Sequence, residues 1–316
     1  MPTLAQKLRT KPSGSPPICP ATDDFSQATL HLDLARFNVI RTTPHKPPQD
    51  ASAWEEALHT ELAIRLAEGH WLEDLRAQCA AALPVSPISP DAFVAWFASL
   101  SHRGPGQQHR LFDWLATHAD LPEMRWFLKQ EAAGEAGFDD LLAYTQVKLP
   151  VVAKLELARN YWDEMGNGKR NGMHGEMLAR MVTELDLQPT LETTVWQSLA
   201  LGNAMLGMAM TRRYAYQSIG ALGVVELTAP SRVAYVSAGM RRLGLGPHLR
   251  AYFDLHAALD ISHAKAWMAQ VIAPLVEADP SCAPFIAEGA LMRLTCGKRC
   301  FERYSQEFGL SFGKAF

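Results

Sequence analysis

No stretch of the sequence is apolar for long enough to cross a bilayer. A membrane helix takes about 20 consecutive apolar residues, and the longest candidate, Leu199 to Met210, is shorter and interrupted by Gly202 and Gly207. The first basic residues (Lys7, Arg9, Lys11) run straight into KPSGSPP, without the apolar segment of a secretory signal. Cysteine is scarce: the five (Cys19, Cys79, Cys282, Cys296, Cys300) are odd in number and dispersed, which is not the spacing of a disulfide framework. A reduced, cytoplasmic setting is therefore expected. A basic stripe is missing as well, because 30 Lys and Arg against 33 Asp and Glu are scattered evenly for a net charge of −3. Neither nucleic acid nor a membrane is expected as a partner. The sequence also lacks GxxxxGK[ST], GxSxG, any GxGxxG in a strand-turn-helix setting, and a fixed-period repeat. Phosphate-loop, serine-hydrolase and dinucleotide chemistries drop out with them.

Strand-like alternation is equally short; only Val224-Val225 leans that way, inside a helical context. What is there is helix. With 48% hydrophobic and 20% charged residues the chain has material for a real core. Apolar residues recur at helical spacing over Ser52 to Leu83, Ser89 to Leu100, His109 to Ala119, Pro122 to Gly134, Val151 to Met165, Gly172 to Leu185 and Leu191 to Arg213. Further helices are read at Tyr214 to Leu227, Ser231 to Leu243, Pro247 to Val276 and Cys282 to Phe308, with Pro230 as a stop and a break at Gly297. Ser89-Pro90 has the look of a capping hydroxyl followed by proline in the first turn. These readings give an all-α helical bundle with an N-terminal extension. Its expected organisation is a proline-rich arm over residues 1–50, accessory helices over 51–120 and a metal-binding bundle over 121–316.

The most informative segment is YFDLHAALDISHAKAW, where His256, Asp260 and His263 fall at i, i+4 and i+7. Those positions share one helix face over two turns, so three potential metal ligands point the same way. Apolar neighbours (Phe253, Leu255, Leu259, Ile261, Trp267) imply burial, and a buried Asp with two imidazoles is costly unless a divalent metal or an equivalent network satisfies it. The bland alternative is an exposed polar face. Partners for such a face exist elsewhere. WDEMGNGKRNGMH offers Glu164 and His174 across a glycine-rich distortion; GALGVVE offers Glu226 in an apolar run; WFLKQEAAGE offers Glu131 and Glu135, one of which should face inward. Cys296 and Cys300 share a helix face but have no completing ligands, so they read as buried packing residues. Glu288, in an apolar turn, reads as a structural acid with Arg293 or Arg299 as its partner.

The succession of an acid in WFLKQE, DExGxG followed by His in WDEMGNGKRNGMH, an acid in GALGVVE and finally HxxxDxxH resembles the haem-oxygenase-like diiron oxidases and oxygenases, the iron-containing redox enzymes. The likeness runs from about Pro122 to the end. It implies a compact helical bundle without haem and a labile ferrous cofactor, Fe(II), with two ions per chain. By that likeness the metal residues would be Glu131, Glu164, His174, Glu226, His256, Asp260 and His263. One departure stands out: several members carry an acid three residues before the histidine matching His174, and here that position is Asn171.

Such a site implies an O₂-dependent oxidase or oxygenase with a small-molecule substrate, first of all a small amine or amino-acid-like metabolite undergoing N-oxygenation or oxidative C–H or C–C cleavage. The alternatives are a decarboxylase or desaturase of fatty or amino acids, which for a lipid chain needs a long apolar tunnel, and a non-catalytic helical binding protein. An external electron donor and a homodimer are compatible partners. Supporting residues are expected at Arg159, Asn160 and Asp163, the last being the one turned to solvent. Arg212, Arg213 and Tyr216 are candidates for holding a substrate carboxylate, with helix capping as the plainer role of the Arg pair.

Overall fold

The computed structural model describes residues 24–44, 46, 51–85, 88–135 and 137–310, and every regular element among them is a helix. None of these is long and apolar enough to cross a membrane. The prolines of the expected arm, Pro16-Pro17 and Pro47-Pro48, lie outside the described residues, as does Cys19. Within that arm, however, α1 (Asp24–Thr42) buries Leu34, Phe37 and Asn38. It is joined to α2 (Ala51–Cys79) by Arg41, whose guanidinium meets Glu68 at 2.6 and 3.1 Å, with both side chains nearly buried. Part of the extension is therefore core.

Helices α3 (Pro90–Arg103) and α4 (Arg110–Thr117) start as their sequences predict. Ser89 accepts from the Ala92 amide with Pro90 in the first turn, and His109 caps α4 by accepting from Leu111 N at 3.2 Å. Asp120 and Glu123 form a reciprocal capping box at the head of α5 (Leu121–Gly134), which fixes where that helix begins. A short helix, α6 (Phe138–Thr145), is an addition to the sequence reading: eight residues carry too little periodicity to be seen. Then follow α7 (Val151–Glu164), α8 (His174–Glu184) and α9 (Trp196–Met210).

Pro230 does not stop its helix. One continuous helix, α10, runs Ala215–Arg242 with Pro230 inside. Proline removes the amide that would bond the carbonyl four residues back, here that of Glu226. The neighbouring turns hold through Thr228, whose hydroxyl donates to Val224 O at 2.6 Å, while α10 is packed along its length by α4, α11 (Pro247–Ala266) and α13 (Ala283–Glu307). Tertiary packing overrides the local breaker. Nor does Gly297 break α13. Two glycines set the spacing of the central pair: a Cβ on Gly220 would lie 1.8 Å from Ile286 O, and one on Gly289 would lie 1.8 Å from Gln217 O. Each helix thus lays its backbone directly on the other, which only glycine permits.

The chain after α11 widens into a π-helical segment, Trp267–Ile272, before α12 (Ala273–Ala278). The Trp267 ring rests on Gly223, where an added Cβ would meet its Nε1 at 2.5 Å. That contact fixes the height of α11 against α10, one turn from Glu226. Glu288 takes a partner other than the expected Arg293 or Arg299. It accepts from Arg76 Nε at 2.8 Å and Nη2 at 3.0 Å, and from Gln217 at 2.8 Å, because α2 crosses α13 at that level. Cys296 and Cys300 are buried, and burial raises both thiols.

Candidate metal centre

Glu164 ends α7, and the glycine-rich segment behind it is a tight double turn. Gly166, Asn167 and Gly168 all take left-handed backbone (φ 61°, 53° and 78°), and a Cβ on Gly166 would lie 2.2 Å from the Gly172 carbonyl carbon. The loop folds flat on itself and returns the chain so that His174 opens α8 beside Glu164, with Nδ1 2.7 Å from Glu164 Oε2. Asn171 is exposed on the outside of this loop. Position 171 thus turns away, and Glu164 occupies the place next to the histidine.

Helix α11 supplies His256, Asp260 and His263 from one buried face, as their spacing predicts. His256 stands perpendicular to His174, ring centroids 4.6 Å apart, and its Nδ1 lies 2.9 Å from Asp260 Oδ1. His263 faces Glu226 of α10 through Nδ1, at 3.4 Å, and Asp163 through Nε2, at 3.2 Å. Asn160 donates to Glu226 Oε1 at 2.6 Å.

Two sets of ligand atoms emerge, each within 4.8 Å of one another: Glu164, His174 and His256 in one, Glu164, Glu226 and His263 in the other. Glu164 belongs to both. Asp260 and Glu131 belong to neither: Asp260 orients His256, and Glu131 accepts from Tyr304 at 3.1 Å deeper in the interior. Glu135, its neighbour one turn on, accepts from the amides of Gly137 and Phe138. Both glutamates line the cavity described below, so the inward-facing acid expected in this segment is in fact two.

The donor set fits a metal. His256 Nε2, His174 Nδ1 and His263 Nδ1 are all buried without a well-formed hydrogen bond, His174 and His263 having only the close carboxylates of Glu164 and Glu226. Three imidazole nitrogens so placed in a cluster of carboxylates are a costly arrangement that a divalent cation satisfies. Electrostatics agree. Burial, aggravated by Glu226, Asp260 and Glu135, pushes the Glu164 carboxyl up to about 8, though His256 opposes it. Burial raises Glu226 likewise, and burial with the His256 charge lowers His174 to about 4. For His263, burial works downward but the carboxylates of Glu226 and Asp163 outweigh it, holding the ring up at about 9. The group is overloaded with acids for a site holding protons alone.

Asp163 is not simply solvated, in contrast to the sequence reading. Adjacent to Glu164, it reaches around the end of α7 to His263, and its other oxygen accepts from Asn167 at 3.2 Å. Arg159, by contrast, is exposed and pairs with Glu156.

A cavity of about 150 Å³ opens against the cluster, walled by Glu164, Glu226, His256 and Asp260 on one side and by Phe112, Leu141, Met205, Val233 and Phe253 elsewhere. The arginine and tyrosine residues expected to hold a substrate do not reach it. Arg212 donates to Thr145 O, Arg213 lies at the surface with Glu73, and Tyr216 packs against the core. Adjacent residues in a 3₁₀ turn, Arg212–Tyr214, diverge and cannot form a fork. The arginines that do line the cavity are Arg232 of α10 and Arg293 of α13. An isolated cation among core positions was the signal available for them.

The fold and its carboxylate–histidine cluster define a helical metalloprotein of the haem-oxygenase-like architecture. The chain belongs to the family of iron-containing redox enzymes, whose model matches residues 125–298. That range spans Glu131 and every residue of the cluster. No curated protein matches the chain. Membership carries an iron-dependent redox function, which the carboxylates and histidines of the cluster suit.

Proposed function

We propose that the chain is a dinuclear non-haem iron oxidase or oxygenase that uses O₂ on a small amine or amino-acid-like metabolite. The observation that carries this reading is Glu164, one carboxylate common to two adjoining ligand sets at the wall of a cavity. One set would hold an ion through His174 and His256, the other through Glu226 and His263, with Glu164 between. Iron bound there supplies the electrons and open positions that activate O₂. The protein's own part is to hold the ligands and keep water out. Asp260 and Asp163 fix the orientation of His256 and His263 by taking their second ring nitrogens. Tyr252 covers His256, ring centroids 4.5 Å apart, and Phe253, Met205 and Val233 make the remaining wall dry. The small, partly charged cavity favours a metabolite over a lipid chain, for which a long apolar tunnel is needed. A purely structural network is disfavoured by the three imidazole nitrogens left without well-formed hydrogen bonds.

Iron content after anaerobic Fe(II) loading, with O₂ consumption followed in the same sample, tests the proposal. The expected result is about two irons per chain and rapid O₂ uptake in the wild type, both lost in His256→Ala. A protein that takes up no iron specifically and leaves O₂ untouched would refute it.

A further inference from the structure

The cavity has a second charged end that the metal cluster leaves unused. Arg232, in the middle of α10, and Arg293, in the middle of α13, both face into it. Neither stands near the end of its helix, so capping of terminal carbonyls does not account for them. Arg232 donates Nη1 to Thr228 Oγ1 at 3.1 Å and lies over the Phe301 ring, 5.5 Å from its centroid. Arg293 Nη1 is buried and has no hydrogen-bond partner. Glu131, which is held by Tyr304, acts on both guanidiniums, and Asp260 acts on Arg232 as well.

Neither guanidinium is held in an ion pair among the described residues: Arg232 bonds Thr228 Oγ1, and Arg293 leaves Nη1 without a partner. Burial and the like charge of Arg293 pull Arg232 down to about 9. Buried charges are normally paired or bound to a ligand, and Arg293 Nη1, which packs against Gly297, has no partner. Glu226 and Arg232 are six residues apart on α10, about 9 Å along its axis. Arg232 is therefore set off along α10 from the Glu226 end of the ligand cluster.

We propose that Arg232 and Arg293 form a carboxylate-binding subsite, so that the substrate is a small carboxylic acid held by its carboxylate at this end, with its reacting amine or C–H group towards Glu164 and His256. The guanidinium fork matches a carboxylate in plane and charge. The cavity volume, about 150 Å³, lies well below the roughly 300–1,000 Å³ of sites for drug-sized ligands, which limits the acid to metabolite size. Anchoring at the arginines turns the carboxylate away from the reacting position and directs oxidation to the opposite end of the molecule. This inference deepens the proposed function and rests on it for the reacting end alone.

The test is isothermal titration of the anaerobic, Fe(II)-loaded protein with glycine, 4-aminobutyrate, 6-aminohexanoate and L-lysine, each against its primary amide. At least one acid is expected to bind tenfold or more tighter than its amide. That preference should vanish in Arg293→Met and Arg232→Met and persist in part in Arg293→Lys, which keeps the charge and controls for folding. A second reading uses thermal unfolding without ligand. Arg293→Met should melt no lower than wild type, since it removes a buried donor without a partner, and only the wild type should gain stability from the acid. Equal binding of acid and amide, an unaltered preference in both Met variants, or a wild type that binds none of the acids overturns the subsite. Iron content is read separately. Iron uptake without acid preference removes this inference alone, and acid preference without iron uptake removes the proposed function alone.

Discussion

Nε2 of His263 lies 3.2 Å from Oδ2 of Asp163, on the side of the ring opposite the cluster. A histidine anchored in this way offers its remaining nitrogen in one tautomer and one orientation, and loses both when the anchor goes. Asp163→Asn should therefore weaken iron binding about 10- to 100-fold while leaving the helical signal of circular dichroism intact. Chelator competition against the wild type measures it; an unchanged affinity would show that Asp163 serves the surface only.

Glu164 sits in both ligand sets, whereas His174 and Glu226 each sit in one. Replacing Glu164 by Gln should abolish iron uptake altogether, while His174→Asn or Glu226→Gln should each retain about one ion. The same Glu164→Gln change removes a buried acid crowded by Glu226, Asp260 and Glu135. Metal-free protein should gain about 1–2 kcal/mol from it. Denaturant unfolding of apo-protein and elemental analysis together check the pair of effects, and a destabilised apo-variant would contradict the crowding argument.

How far the sequence foretold this site depended on the range of the signal. His256, Asp260 and His263 were legible because their relation is a property of one helix, i, i+4, i+7, and burial of their neighbours was written in the same segment. Glu164 and His174 were singled out by the family likeness, the glycines between them marking only a local distortion, which the structure shows to be a loop folded back on itself. The sharing of Glu164, the turn of Asp163 towards His263 and the arginines of the cavity were not, because each depends on how separate helices meet. Arg212 and Arg213 attracted attention as neighbours in sequence, although side chains one residue apart diverge; Arg232 and Arg293, 61 positions apart, converge across the α10–α13 contact that Gly220 and Gly289 make so close. Pro230 misled for the same reason, since a local breaker says nothing of the packing that keeps its helix whole.

Arg76 and Glu288 join α2 to α13 by a two-pronged ion pair whose side chains are 20% and 12% exposed. Gln217 of α10 binds the same carboxylate, so three helices meet there. Removing the acid strands the guanidinium in a largely dry place. Glu288→Ala should cost about 3 kcal/mol in denaturant unfolding of the metal-free protein. Since the pair lies away from the cluster, iron stoichiometry should stay at its wild-type value. A loss below about 1 kcal/mol would place this pair with ordinary surface ion pairs.

His31 gives the protein a pH dependence apart from the metal residues. It is fully buried on α1, its ring stacked on Trp196 at 5.6 Å and edge-on to Trp71 at 4.6 Å. Burial, with the Arg299 charge adding to it, lowers its pKa from 6.5 to about 3. The unfolded chain takes up this proton near its ordinary value while the folded protein refuses it. Between those two values the unfolded state binds more protons, so stability rises with pH and is lost as pH falls. The slope is about 1.4 kcal/mol per pH unit at most, beginning near 6.5 and ending near 3. His174, lowered to about 4, titrates over the same range, so between pH 6.5 and about 5 the His31 share, an expected loss of about 2 kcal/mol, is read as a difference from a variant without the ring nitrogen. Replacing His31 by Phe keeps an aromatic ring between the tryptophans and removes the proton site. Unfolding midpoints measured across that window should fall less steeply in His31→Phe than in the wild type; parallel curves would mean that His31 exchanges its proton in the folded state as freely as in the unfolded one.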